Sequence, residues 1–396
     1  MSRPVPFRIL MIAAMVILVV AAIGCRRSAP APVEESPAPE TVAPTPLPTT
    51  PVQTASPPTP ARVSELDALK SKAEGGDSTA QESLGDYYAT GRGGKIDTAE
   101  ALKWYQAAAA QGQVRAQFNL ATMYAQGYGV ARNDAEALKW YTQAAQQGDR
   151  QSQYEVGAMY ANGQGTPADP DQANQWFQKA AAQGDAMAQL ALKMAAAQQS
   201  GTPLTPEQLA ALYLPAAEQG YPEAETELGS MYARGSGVER DPQAALKWYA
   251  AAADQGDPKA LHWLAVSYLN GDNVTKDIGQ AVDYYTKAAD AGYPNSQYNL
   301  GMMYLIGQGV DASTDQAVQL LQKAADGNFA AAQLQLGSMY ESGQGVAQNL
   351  VEAYRWLSQA AANGNAQATQ ARDSLAQRLT PDQISQAQKL AAGSTP

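Results

Sequence analysis

The chain has 396 residues, 45% of them hydrophobic, which is enough to bury a sizeable core and excludes a wholly disordered protein. It carries one cysteine, Cys25, and one histidine, His262, so an intrachain disulfide framework, a cysteine-rich metal site and a two-histidine metal helix are all excluded, and no metal or other cofactor is expected. Against 38 Asp and Glu stand 27 Lys and Arg, a net charge of −11 with no basic stripe to neutralise phosphates, so nucleic acid is not an expected partner.

Arg3 and Arg8 precede or flank the start of an apolar run, Ile9 to Ile23, that is unbroken for 15 residues. This is shorter than the ~20 residues of a spanning helix and fits the apolar region of a secretory signal. The run ends in Ala22-Ile23-Gly24-Cys25. Small residues before a cysteine resemble the lipobox of bacterial lipoproteins. The resemblance implies that residues 1–24 are a signal peptide and that Cys25 receives the lipid. Ala22 departs from the commoner leucine of that motif, and an uncleaved N-terminal anchor is the alternative. Arg26, rather than aspartate, follows the cysteine; by resemblance to sorted lipoproteins this implies an outer-membrane protein facing the periplasm. Membrane contact is then expected through the fatty-acyl (palmitate) anchor only, each buried CH₂ contributing ~0.8 kcal/mol. Residues 25–62 read as the lipidated cysteine and a disordered tether, since Arg26 to Arg62 holds 11 prolines in 37 residues and almost no large apolar ones. Extended polyproline at ~3.1 Å per residue gives this spacer a reach on the order of 110 Å.

Everything after the tether repeats. An apolar residue recurs at Leu84, Leu120, Val156, Leu192, Leu228, Leu264, Leu300 and Leu336, at intervals of 36 residues, with a tyrosine four positions later in all but the fourth. Leu84 and Tyr88, at i and i+4, share one helical face. The position between them is small at Gly85, Ala121, Gly157, Gly229, Ala265, Gly301 and Gly337, which predicts a close approach by another helix. A glycine pair such as Gly127/Gly129 then ends the first helix. A second helical pattern follows, Ala101, Trp104, Tyr105, Ala108 in the first unit. It closes on glycine at Gly112, Gly148, Gly184, Gly220, Gly256, Gly292 and Gly364, after which Asp149, Asp185 and Asp257 can cap the next helix. The unit is helix, glycine turn, helix, tight glycine turn. Residues 77–364 hold eight such units, residues 63–76 read as a capping helix before them, and residues 365–396 as C-terminal capping helices and a tail. Unit four departs from the pattern: Lys193 takes the small position, Gly201 replaces the glycine pair, and Pro215 falls inside the second helix, which predicts a local kink or hinge, with a harmless decayed repeat as the alternative.

Tyr124-Ala125-Gln126-Gly127-Tyr128-Gly129-Val130 and Lys139-Trp140-Tyr141-Thr142-Gln143-Ala144-Ala145 carry a resemblance to the Sel1-like repeat family, relatives of tetratricopeptide repeats. It implies an all-α, right-handed α/α superhelical solenoid with a concave face lined by each first helix. Gly91-Arg92-Gly93-Gly94-Lys95 is superficially a phosphate loop, but no Ser or Thr follows Lys95 and the segment aligns with the glycine turn of other units. His262 aligns with Phe118, Tyr154, Leu190 and Tyr298, a position for packing or contact rather than for a catalytic base. The recurring tryptophans read as core.

By register with tetratricopeptide repeats, the concave positions are Lys259, His262, Val266, Leu269 and Asn270 in unit six and Asn295, Tyr298, Met302, Leu305 and Ile306 in unit seven. These units are more apolar than unit two (Arg115, Phe118, Thr122, Ala125, Gln126). The expectation is a non-catalytic scaffold that grips a partner protein or peptide with His262, Val266, Leu269, Tyr298, Met302, Leu305 and Ile306. Tight packing that buries these side chains is the alternative. Repeat lipoproteins of exopolysaccharide export machines look similar in layout, which suggests an envelope or secretion complex. Two other readings stay open on sequence: a cell-wall or β-lactam-directed enzyme, although the cysteine-rich branch linked to that activity carries a disulfide in each repeat, and a periplasmic regulator of a membrane sensor.

Overall fold

A computed structural model describes residues 60–92 and 94–392, so the signal, Cys25, most of the tether and Gly93 lie outside the described residues. The described chain is all helix and turn. After α1 (Pro60–Glu74) come the pairs α2 (Ser78–Ala89) and α3 (Thr98–Ala110), α4 (Val114–Gln126) and α5 (Asp134–Gln146), α6 (Arg150–Asn162) and α7 (Pro170–Ala182), and α8 (Ala186–Ser200) and α9 (Pro206–Glu218). They are followed by α10 (Pro222–Arg234) and α11 (Pro242–Asp254), α12 (Pro258–Asn270) and α13 (Ile278–Asp290), α14 (Pro294–Ile306) and α15 (Thr314–Asp326), and α16 (Ala330–Ser342) and α17 (Leu350–Ala362). Two further helices, α18 (Ala366–Ala376) and α19 (Pro381–Ala392), end the described chain. The chain divides into two compact units, one ending at Ala224 and one beginning at Glu225. Among the described residues no helix is long and apolar enough to cross a membrane.

The helix α1 starts at Pro60, three residues inside the stretch expected to be tether, because proline suits a helix's first turn. The caps follow the sequence signals. Asp149, Asp185 and Asp257 accept from the amides of Ser152, Ala188 and Ala260 at 2.6–2.9 Å. Thr205 with Gln208, and Thr380 with Gln383, close reciprocal capping boxes. A cap of this kind stabilises its helix by about 1 kcal/mol.

Within each pair the small residue does what its position predicts. A Cβ built on Gly85 would lie 2.6 Å from the Tyr105 ring, so the α2 backbone rests directly on that tyrosine. The glycine turn has two separate jobs. Gly127, at φ 74°, caps α4 and donates to the Met123 carbonyl. Gly129 is a docking point, where a Cβ would come within 2.6 Å of the Thr98 carbonyl oxygen at the start of α3, one repeat earlier. The tyrosine near each first-helix end offers its carbonyl to the cap residue of the second helix, as Tyr124 does to the Asn133 amide at 2.9 Å and Tyr304 to Ser313.

Tryptophans join repeats. Trp104 packs on Ala73 of α1 and on Ala80 and Leu84 of its own repeat, and Trp140 on Ala101 and Tyr105 of the repeat before it and on Leu120 of its own. Burying such a side chain stabilises by roughly 2–3 kcal/mol. A ladder of buried glutamines adds polar rungs. Gln117 and Gln153 donate to the carbonyls of Ala109 and Ala145, the last turn of the preceding helix. Their side-chain oxygens accept from Gln147 and Gln183 at 2.8 Å. Gln297 and Gln333 repeat the first bond in the second unit. Helix C-terminal carbonyls lack intrahelical donors, and these amides supply them.

Unit four differs where its sequence does. Lys193 replaces the small residue, α8 runs to 15 residues before Gly201 caps it, and α8 packs less closely on α9 than α2 packs on α3 or α4 on α5. The helix α9 continues through Pro215, which deprives the Ala211 carbonyl of its usual donor. At the base of the unit Asp185, wholly buried, accepts from the Tyr221 hydroxyl while capping α8.

Candidate functional site: the first-helix strip

The first helices present a strip of side chains at i, i+4, i+7 and i+11. On α12 these are Lys259, Trp263, Val266 and Asn270, and on α14 Asn295, Asn299, Met302 and Ile306. None of the eight is fully buried. Ile306 is 68% exposed, more than any other large hydrophobic residue among the described ones.

The polarity of the strip is set from below, by the second helix. The Tyr105 hydroxyl donates to Asp86 at 2.7 Å, Tyr141 pairs with Thr122 at 2.8 Å, and Tyr249 donates to Ser230 at 3.1 Å. In each case the phenol sits 19 residues after its partner. Phe177, with no hydroxyl, faces the register of Ala158, and Leu321 that of Met302. A buried phenol needs a partner, and Asp86, Thr122 and Ser230 supply it from the strip. Tyr285 lies under apolar Val266 and is served instead by Asn299 of the next repeat, 3.1 Å away. The strip is polar through α2 and α4, and on α12 and α14 it carries the apolar side chains Trp263, Val266, Met302 and Ile306 among polar ones.

The seven residues expected to bind a partner do not share one environment. His262 is a correction: it is buried, 6% exposed, and does not line the face. Its register points into the seam with the next repeat, where the Tyr285 and Tyr293 rings lie 5.5 and 5.3 Å away. Its Nδ1 is 2.9 Å from the Ser296 hydroxyl, and burial pulls its pKa down to about 4. Ser296 is 0% exposed, so this serine–histidine pair meets no substrate. Val266 and Leu269 are half-buried against Tyr285, Leu300 and Met303. Tyr298, Met302 and Leu305 are half-buried on Leu321 and Trp356, and the Tyr298 ring lies 5.3 Å from Phe329. They form a floor, over which Ile306 projects.

Trp263 is the strip residue the sequence reading missed. Half-buried, it stacks on Tyr249 at 6.3 Å, and its indole N–H is buried with no acceptor among the described residues. Its place one turn after Lys259 was the available signal. Nearby, Asp257 is buried, accepts from the Thr226 hydroxyl, and has its pKa raised by that burial. Charges along the strip are paired between neighbouring repeats: Arg115 with Asp86 at 3.0 Å, Lys259 with Glu227, and Arg378 with Glu341.

Among solved structures, the chain is similar to a protective antigen of uropathogenic Escherichia coli strains that displays an SLR fold, with 34% identity over 83% of this chain and 71% of that one, at a TM-score of 0.53. It is also similar to a Sel1 repeat protein from Oxalobacter formigenes, 34% identical over 84% of this chain and 97% of that one, with a TM-score of 0.48. No curated protein matches the chain. The Sel1 repeat profile matches residues 78–113, 114–149, 150–185, 222–257, 258–293, 294–329 and 330–365. Residues 186–221, the aberrant unit with Lys193 and Pro215, fall between matched stretches. Paired helices at a 36-residue interval, seven of them matched, place the chain in the Sel1 repeat family, whose members are generally non-catalytic protein-interaction scaffolds.

Proposed function

We propose that the chain is a lipid-anchored scaffold of the bacterial envelope, held to the outer membrane through Cys25 and facing the periplasm, which binds a protein or peptide partner along the strip of α12 and α14. The observation that carries the reading is the apolar group Trp263, Val266, Met302 and Ile306 on first helices whose counterparts on α2, α4, α10 and α16 are polar. An apolar cluster reaching solvent marks a contact site, and Met and Trp suit one. The proline-rich segment before α1 supports the spacer role, and the Ala22-Ile23-Gly24-Cys25 sequence supports the anchor. An envelope or secretion complex is the setting that fits such a layout.

A photo-crosslinking residue placed at Ile306 in intact cells is expected to capture a discrete partner, whereas the same residue at exposed Asp283 on α13 is not. Equal capture at both positions, or none at either, overturns the reading. Incorporation of a labelled fatty acid is expected in the natural chain and lost in Cys25→Ser; retention of the label in that variant refutes the anchor.

A further inference from the structure

The charges on the strip of the second unit are not evenly neutralised. Glu227 is paired with Lys259, and Glu341 with Arg378. Arg234, at the end of α10, is exposed and makes no side-chain hydrogen bond or ion pair among the described residues. It belongs to the strip: Tyr249, whose hydroxyl donates to Ser230, feels its charge. Arg234, Asn270 and Ile306 occupy one register, 36 residues apart, on α10, α12 and α14. A free cation therefore lies at one end of a line whose other end is the most exposed aliphatic side chain, with Trp263 and Val266 beside the middle.

Neighbouring first helices pack ~10 Å apart, and an extended chain advances ~3.3 Å per residue. An extended peptide crossing these helices thus spends about three residues on each repeat and about six between Arg234 and Ile306. We propose that this line takes an extended segment of a partner protein carrying a carboxylate about six residues from a large aliphatic or aromatic side chain, with the carboxylate on Arg234 and the apolar group over Ile306 and Met302. The carboxylate is the complement of the one unpaired charge on the line, and guanidinium–carboxylate pairing fixes direction and register. The proposal rests on the interaction reading above and specifies its ligand.

Random 12-residue peptides displayed on phage and selected against the full-length protein test it. The enriched peptides are expected to carry Asp or Glu about six positions from Leu, Ile or Phe. They are expected to bind Arg234→Glu at least tenfold more weakly and to recover when their acid is replaced by Lys; Ile306→Asp lowers binding by a similar factor. Both positions are exposed, and unchanged melting curves verify that the variants fold. Binding that falls with Ile306→Asp but not with Arg234→Glu overturns the carboxylate and leaves the groove. Binding indifferent to both, or a selection that enriches no peptide, overturns the proposal and the groove reading together.

Discussion

The strip across α2 and α4 and the strip across α12 and α14 share one register and differ in chemistry at Trp263, Val266, Met302 and Ile306. In the first, Asp86 holds the Tyr105 hydroxyl, the Arg115 guanidinium and the Asn119 amide, so its polar atoms satisfy one another. In the second, Tyr285 is served from the side by Asn299 and the next second helix offers Leu321, so Val266 and Met302 face no buried phenol in need of a partner. The seams beneath the strips differ in the same way: Glu82 lies under the first, with its pKa raised by burial, and neutral His262 under the second.

The largest expected difference between the regions is their response to acid. The pKa of His262 is about 4 in the folded chain against an ordinary 6.5, so the unfolded chain binds the proton first. Its contribution is complete above pH 6.5 and is lost as pH falls towards 4, about 3 kcal/mol in all. Glu82 and Asp257 act in the opposite sense, since their raised pKa values favour the protonated folded chain. The double variant His262→Tyr with Ser296→Ala copies the Tyr298 and Ala332 arrangement one repeat on. It is expected to keep the Asp257 and Glu82 responses and lose the His262 response. Denaturant titrations at pH 7 and pH 4 measure this: the natural chain should lose about 3 kcal/mol more than the variant. Equal losses refute a buried neutral histidine.

A smaller effect separates the strips directly. Asp86→Ala leaves the buried Tyr105 hydroxyl without its acceptor and strands Arg115 and Asn119, for a loss of about 2 kcal/mol. Asp86→Ser is expected to restore most of the phenol's share, as Ser230 serves Tyr249. Calorimetric melting of the two variants distinguishes a needed acceptor from a needed charge.

The repeat period, the caps at Asp149, Asp185 and Asp257, and the contact beneath the small residue at Gly85 were legible because each is a local signal copied many times. What escaped depended on angle. A register borrowed from tetratricopeptide repeats placed His262 on the face, but that position turns into the seam, and Trp263 next to it occupies the strip. The glutamine ladder was hidden because glutamine is common on exposed helices, and only the carbonyl eight residues upstream gives Gln117 or Gln333 its role. The link between a tyrosine and a strip residue 19 positions earlier crosses a helix pair, so no single-helix pattern reveals it.

The smallest expected effect decides which part of the apolar strip is free surface. Ile306 projects from the end of α14, and Ile306→Ser removes little that is packed, so stability should stay within about 0.5 kcal/mol of the natural chain. Met302 lies on the Leu321 and Trp356 cluster, and Met302→Ser exchanges buried contacts for an unpaired hydroxyl, which should cost about 2 kcal/mol. The contrast is measured by urea unfolding of the two single variants. If Ile306→Ser costs as much as Met302→Ser, both residues are core and the apolar strip is the inner wall of the stack. If only Met302→Ser destabilises, the floor is fixed and Ile306 is left as side chain whose burial awaits a second molecule.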